Sequence, residues 1–156
     1  MAEMEEIFFS GTFGGEALSL AACIAVIRKM EGEPVLEHLG KLGAQLTHSV
    51  QTLLAKHELE DCISITGHPS WTLLLFKDTE KATLWEIKSL YLQEVLARGI
   101  LTGGSHNMSH SHSEKDLEAL EAAQDEAFAL VREAIDSGDI RSYLAGPPIE
   151  PLFRVR

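Results

Sequence analysis

The sequence predicts an α+β fold, in which a small antiparallel sheet is covered by helices. Strand-prone runs are confined to 62–66, 71–76 and 100–102, whereas apolar residues elsewhere recur at helical spacing. The elements therefore follow one another as helix, helix, hairpin, helix, strand, helix. With 156 residues, the chain can form one domain of ordinary size or a small domain with an extra segment.

The first predicted helix covers 17–30 and follows a glycine-rich turn at 11–15. Its apolar residues lie on more than one face, which predicts a helix that is buried on several sides. Gly32 and Pro34 end it. A long buried helix after such a turn can pack on a neighbouring domain that this chain does not contain.

A second helix is predicted over 35–56, because its leucines form a single apolar stripe. The strand-like runs 62–66 and 71–76 come next, and they are rich in β-branched and aromatic residues. The four residues between them, 67–70, form a turn short enough for an antiparallel hairpin.

The remainder of the chain predicts a third helix over 81–98, a brief strand over 100–102 and a polar loop over 103–107. Ser113 opens a fourth helix with acidic residues in its first turn, where they complement the positive end of the helix dipole. The fourth helix extends to Gly138. Gly99 ends the third helix, because glycine best accepts the left-handed conformation that follows a helix.

Composition and charge exclude several classes of function. The formal net charge is -11 and the lysines and arginines are scattered, so nucleic acid is not expected as a partner. The longest apolar run, around 18–27, is too short and too mixed to span a membrane. Cys23 and Cys62 lie far apart in sequence, which favours reduced thiols in a cytoplasmic protein over a disulfide framework.

The glycine-rich turn is the first candidate binding site. Gly11, Thr12, Gly14 and Gly15 directly precede a helix, where backbone N–H groups, the helix dipole and a hydroxyl together favour an anion such as phosphate. The run matches neither the Walker pattern nor the dinucleotide fingerprint. From these residues alone, a phosphate site and a flexible helix entry both remain open.

The run from Phe8 to Ala22, FFSGTFGGEALSLAA, resembles the segment that follows the cofactor lysine in class III pyridoxal-phosphate aminotransferases. It is most similar to the branch that includes glutamate-1-semialdehyde 2,1-aminomutase. The resemblance continues in the same order through 67–71, 92–102, 106–109 and 146–151. It therefore covers essentially the whole chain.

The resemblance implies the C-terminal small domain of a fold type I enzyme at 33–156, preceded at 1–32 by the end of the large cofactor domain. The implied cofactor is pyridoxal 5'-phosphate, and the implied assembly is a homodimer or an association with a large cofactor domain. In the family, the threonine of the turn hydrogen-bonds the cofactor phosphate held mainly by the other subunit. That role falls on Thr12, with Ser10, Gly11 and Phe13 shaping the turn.

The resemblance also implies a small-molecule amino substrate, an amino acid or an amino-aldehyde, and leaves aminotransferase and aminomutase activity both open. His106 and Asn107 are expected at the substrate entrance. Many family members have Asn-Pro where this chain has Glu16-Ala17, and this difference leaves the threonine intact.

The catalytic lysine has no counterpart in this sequence. The family attaches its cofactor to a lysine upstream of the threonine turn, and the eleven residues before Thr12 include none. A Schiff-base lysine needs a desolvated site, whereas the lysines present fall at predicted helix or loop positions. They are Lys29, Lys41, Lys56, Lys77, Lys81, Lys88 and Lys115. The chain alone is therefore expected to be inactive, and a non-catalytic partner-binding module or degenerate relative is the alternative.

A histidine-rich stretch offers a competing site. His106, His110 and His112 are close in sequence and could bind zinc or nickel. Their spacing matches no structural zinc pattern and no thiolate accompanies them, so no metal site is predicted.

Overall fold

The structure, a computed structural model, describes Thr12, Phe13 and residues 15–151. The described chain divides into two compact units, one ending at Glu37 and one beginning at His38. The regular elements, in chain order, are α1 (Ala17–Gly32), α2 (Val35–Lys56), β1 (Ile63–His68), β2 (Trp71–Phe76), α3 (Leu84–Ala97), β3 (Ser105–Asn107), α4 (Glu114–Ser137) and a short 3-10 helix (Ile140–Tyr143).

Helix α1 forms where the sequence predicts it, but none of its residues is buried within the described chain. The sequence predicts a helix that is buried on several sides, whereas the apolar residues of α1 are exposed. The large apolar residues that α1 leaves exposed are Leu18, Leu20, Ile24, Val26, Ile27 and Met30.

The second unit is built on a three-stranded antiparallel sheet in the order β1-β2-β3. Ile63 pairs with Phe76 at one end of the hairpin and His68 pairs with Trp71 at the other, which leaves Pro69 and Ser70 as the turn. Nδ1 of His68 lies 2.9 Å from the Ser70 hydroxyl, a local hydrogen bond across the turn. The hairpin prediction is confirmed.

The prediction of the third strand is wrong. It lies at Ser105–Asn107, within the expected loop, whereas residues 100–102 form no strand. Ile100 instead donates its N–H to the Val95 carbonyl, which completes the end of α3. The polar strand pairs with β2 because its central residue, His106, is buried and hydrogen-bonded beneath the sheet.

Helices α2, α3 and α4 supply most of the core. Tyr91 of α3 and Phe128 of α4 are fully buried, with ring centroids 5.3 Å apart. Two predicted helix boundaries are confirmed, since Ser113 forms a capping box at the start of α4 and Gly99 has the positive φ of the left-handed conformation after α3. Helix α4 ends directly before Gly138, as predicted. Helix α3 begins at Leu84 rather than at residue 81, because a capping box at Thr83 fixes its start.

The sheet has one covered face and one open face. Thr72 and Leu74 of β2 are buried, whereas Trp71, Leu73 and Leu75 of the same strand are exposed. This alternation confirms the α+β prediction of a small antiparallel sheet packed against helices. In the part of the chain that the structure describes, no helix is long and apolar enough to cross a membrane.

Candidate functional site

The glycine-rich turn lies at the entrance to α1. Thr12 and Phe13 are exposed residues of the turn, and the N–H of Glu16 donates to the Phe13 carbonyl at 3.2 Å. Gly11, the third predicted cofactor-contact residue, lies outside the described residues. The turn therefore presents the Thr12 hydroxyl on an exposed residue.

The sequence predicts unpaired backbone N–H groups at the N-terminal end of α1, but two of these groups are paired. Glu16 is the N-cap, and its carboxylate accepts from the N–H groups of Leu18 and Ser19 at 2.8 and 2.7 Å. The Ser19 hydroxyl also donates to it, and these hydrogen bonds hold the pKa of Glu16 below its usual value. A carboxylate of the chain itself thus satisfies donors that were expected to meet an external anion.

This arrangement fits one contact with a phosphate but not a complete phosphate site. A charged group at the turn can accept from the Thr12 hydroxyl, whereas the Leu18 and Ser19 N–H groups are already paired. Two of the N–H groups that were expected to bind an anion are therefore unavailable in the described part of the turn.

The seven lysines lie at helix or loop positions, as the sequence predicts. All seven lie within the described residues and none is buried. Lys29, Lys41 and Lys56 form exposed ion pairs with acidic side chains. None occupies the desolvated environment that a Schiff-base lysine requires.

His106 is held in a buried polar network rather than presented to solvent. It is 5% exposed, its Nδ1 lies 3.0 Å from the Thr72 hydroxyl, and its Nε2 lies 3.2 Å from Nε2 of Gln124. The Gln124 amide also donates to the Tyr91 hydroxyl at 2.9 Å. Both nitrogens of the His106 ring therefore have a hydrogen-bond partner within the network.

Burial lowers the pKa of His106 to about 4, because desolvation disfavours the imidazolium. Burial likewise raises the pKa of Tyr91 to about 12. Both rings are therefore neutral near pH 7. The network joins β2, β3, α3 and α4 through uncharged hydrogen bonds.

Sequence reasoning missed three members of this network: Thr72, Tyr91 and Gln124. A signal for Gln124 was present, because it lies between Leu120 and Ala127 at the spacing of the apolar stripe of α4. A polar residue at such a position requires a buried partner. The identity of that partner depends on contacts between distant segments.

Asn107 follows His106 on β3, and its side chain is exposed. Both residues border a cavity of about 460 Å³ between the 100–112 segment and the first turns of α4. Asn107 can reach a molecule in this cavity, whereas the His106 ring is committed to the network beneath it. Thr12 and Phe13 belong to the other unit.

The three histidines of the proposed metal alternative have different partners. His110 lies edge-on to His38, with ring centroids 5.4 Å apart, and Nδ1 of His112 accepts from the Ser109 N–H at 3.2 Å. His106 is in the buried network. Across Thr12, Phe13 and residues 15–151, no group of three metal-ligating side chains converges.

Comparison with known proteins relates the chain to part of a pyridoxal-phosphate protein. No family model matches the sequence. The FumI protein of Sphingopyxis sp. MTA144, solved in its PLP internal aldimine form, is similar with a TM-score of 0.70 and 27% sequence identity. The match covers 85% of this chain and 31% of FumI. The chain therefore spans about a third of the length of this relative.

Proposed function

We propose that the chain is the C-terminal portion of a pyridoxal-phosphate-dependent aminotransferase or aminomutase. The observation that carries the proposal is the similarity to FumI, a protein solved with this cofactor, over 85% of the chain. The absence of a buried lysine supports a contributing role, in which another polypeptide segment holds the cofactor. The substrate class we propose is a small amino acid or amino-aldehyde.

Within this proposal, Thr12 donates its hydroxyl to the cofactor phosphate across an interface with a partner subunit. An exposed hydroxyl in a turn can reach a group held by another chain, and a charge-assisted hydrogen bond is stronger than a neutral one. Gly11 and Phe13 shape the turn. When bound, pyridoxal phosphate supplies the electron sink for carbanion chemistry, and the protein supplies position and electrostatics.

Asn107 and His106 take different roles at the proposed substrate entrance. The exposed Asn107 side chain can hydrogen-bond a substrate in the cavity that it borders. His106 is a positioning residue, because its ring bonds hold β3 against Thr72 and Gln124.

Substitution of Thr12 tests the phosphate role. In a complex of the chain with a lysine-bearing large domain, Thr12→Ala should weaken pyridoxal phosphate binding about tenfold, the value of one lost hydrogen bond to a charged group. Thr12→Ser keeps the hydroxyl and should retain most of the affinity. Thr52→Ala is the control, because the Thr52 hydroxyl donates to the His48 carbonyl within α2, away from the turn. Equal affinities for the Thr12→Ala and Thr52→Ala complexes would exclude Thr12 as a phosphate ligand.

The exposed apolar surface of α1 should make the isolated chain self-associate. Contiguous apolar patches on a monomer drive association, and Ile24 and Ile27 are each about half exposed. Ile24→Glu should shift sedimentation towards monomer and reduce binding of an apolar dye. Leu96→Glu changes a similarly exposed leucine of α3 and should leave association unchanged. A wild-type chain that sediments as a clean monomer without dye binding would count against an interface at α1.

The alternative is a non-catalytic module that reuses the fold to bind a partner, favoured by the missing lysine. The two proposals differ in one outcome. An enzyme portion restores cofactor-dependent amino transfer when combined with a lysine-bearing large domain, whereas a non-catalytic module associates without restoring it.

A further inference from the structure

Strand β3 lies at one edge of the sheet and is attached to it by few groups. It is three residues long, and among the described strands it pairs with β2 alone. Two backbone hydrogen bonds flank this pairing. The Leu74 N–H donates to the Gly104 carbonyl at 2.8 Å, and the Met108 N–H donates to the Ser70 carbonyl at 2.9 Å. Of the three residues of β3, only His106 is buried, so one side chain holds the strand to the covered face.

The partners of the His106 ring are buried and uncharged. Thr72 of β2 is 1% exposed and Gln124 of α4 is 0% exposed. Gln124 in turn donates to Tyr91 of α3, a neutral phenol because burial raises its pKa to about 12. The Oε1 atom of Gln124 has no hydrogen-bond partner among the described residues, so rotation of the amide can present an acceptor to a protonated ring. Hydrogen bonding alone therefore does not exclude protonation.

The neighbouring charged and titratable groups do not compensate a protonated His106. Lys88 of α3, which lies beside the residue that precedes β3, is itself a cation. Asp116 and His112 border the same cavity as His106. The Asp116 carboxylate is exposed and accepts from its own N-cap residue, and Nδ1 of His112 accepts a backbone N–H. Desolvation therefore lowers the pKa of His106 without an opposing charge.

The apolar core of the second unit forms without β3. Its buried members come from α2, α3, α4, the hairpin and the segments that connect them, and they include Ile63, Leu74 and Phe128. Met108, directly after β3, only packs against this core from a partly buried position. Segments with few buried apolar contacts open at a lower free energy than the whole domain. Detachment of β3 therefore leaves most of the packing in place.

We propose that proton uptake by His106 detaches β3 from β2 while the helical core remains folded. The buried ring site offers a cation no counter-charge, whereas detachment returns the imidazolium to water. Asn107 follows His106 on the strand, so detachment also moves Asn107 from the border of the cavity. The opening is a property of the described chain alone, and only its effect on a substrate rests on the proposed function.

Amide hydrogen exchange of the full 156-residue chain, without cofactor or large domain, measures this opening. The Leu74 and Met108 N–H groups report on β3, and the fully buried Val131 of α4 reports on the core. Each exchange rate is divided into the intrinsic rate at the same pH to give a protection factor. Protection of the two β3 reporters should fall about twentyfold from pH 7 to pH 5, as expected for a pKa of about 4 when buried and about 6.5 when exposed.

Low concentrations of urea separate local opening from global unfolding. Local opening exposes little surface, so about 1 M urea should leave the protection of Leu74 and Met108 nearly unchanged. Val131 should be more strongly protected at both pH values, and urea should reduce its protection. Equal protection and equal urea dependence of all three amides at pH 5 would overturn the proposal, because the whole unit would then open together.

Variants connect the opening to the histidine. His106→Gln should abolish the pH dependence of β3 protection, whereas His48→Gln, at an exposed position of α2, should retain it. If His106→Gln does not form β3, the wild type still decides the question. Its ring, labelled with ¹³C, should take up a proton with the same midpoint at which β3 protection is lost. A ring that titrates while Leu74 and Met108 keep their protection would contradict the proposal, as would β3 protection that is equal at pH 7 and pH 5.

Discussion

Replacing Gly43 by alanine should lower the free energy of unfolding by about 3 kcal/mol, at the upper end of the range for overpacked interiors. Gly43 lies in α2, and a Cβ added there would stand 1.8 Å from the carbonyl oxygen of Pro69 in the hairpin turn. The clash is with backbone at a tight turn, so it cannot be relieved by rotating a side chain. The helix and the hairpin must separate, and Thr47, whose hydroxyl donates to the Gly43 carbonyl, lies one turn away.

Gly40 provides the matched control within the same helix. A Cβ at Gly40 would meet no atom within 4 Å, so Gly40→Ala should raise the free energy of unfolding by about 0.5–1 kcal/mol, the gain in helix propensity. Urea denaturation of the two variants and the wild type measures both changes. If the two alanine variants changed the free energy of unfolding in the same direction by similar amounts, the result would contradict the close approach of α2 to the hairpin turn.

The second large effect is a loss of stability in mild acid caused by His106. Its pKa is about 4 in the folded chain and about 6.5 when unfolded, so folding favours the neutral ring. The contribution of the neutral His106 ring to the free energy of unfolding is fully present above pH 6.5, and it is lost progressively as the pH falls to 4. The difference corresponds to about 3 kcal/mol over that window.

Comparison with a variant isolates the histidine contribution. His106→Gln should flatten the dependence of unfolding free energy on pH between 6.5 and 4, at the cost of lower stability at pH 7. His48→Gln, at an exposed position of α2, is the control for loss of a histidine elsewhere in the chain. Carboxylates whose pKa is held down, such as Asp125 beside Lys56 and His57, lose their stabilising contribution only as the pH falls from about 4. An unchanged slope in His106→Gln would show that the ring is accessible to protons in the folded chain.

Much of the fold could be predicted because its signals are local. The leucine stripe of α2 sets its bounds at 35–56, and Ser113 and Gly138 fix the ends of α4 through their own backbone and side-chain geometry. The hairpin follows from two apolar runs and a short turn. These features require only interactions between residues close in sequence.

The features that were missed depend on distant contacts. Strand β3 has a polar sequence, and it forms because Thr72 and Gln124 satisfy His106 beneath the sheet. The close approach of Gly43 to Pro69 is another such contact. In the sequence alone, Gly43 is only a residue of low helix propensity within a helix. The exposure of α1 could not be predicted, because an apolar pattern indicates a need for burial without saying which polypeptide supplies it.

The candidate site was predicted in part. The turn at Thr12 was found from its glycines and its place before a helix, but the role of Glu16 as N-cap was not. That role depends on the conformation of the turn, which places the carboxylate on the Leu18 and Ser19 N–H groups. The phosphate contact at Thr12 stays a prediction, and the Leu18 and Ser19 N–H groups are excluded from it because Glu16 accepts from both.

The absorbance of lysine-bound pyridoxal phosphate, recorded as the chain is added to a lysine-bearing large domain, tests the proposed function most directly. The large domain is a polypeptide encoded upstream of Met1 or, if none is encoded, the part of FumI that this chain does not match. We predict that the cofactor absorbance and amino transfer both increase to saturation as the chain is added, and that Thr12→Ala shifts the cofactor titration to higher concentration. Association with the large domain that leaves cofactor absorbance and amino transfer unchanged would contradict the proposal.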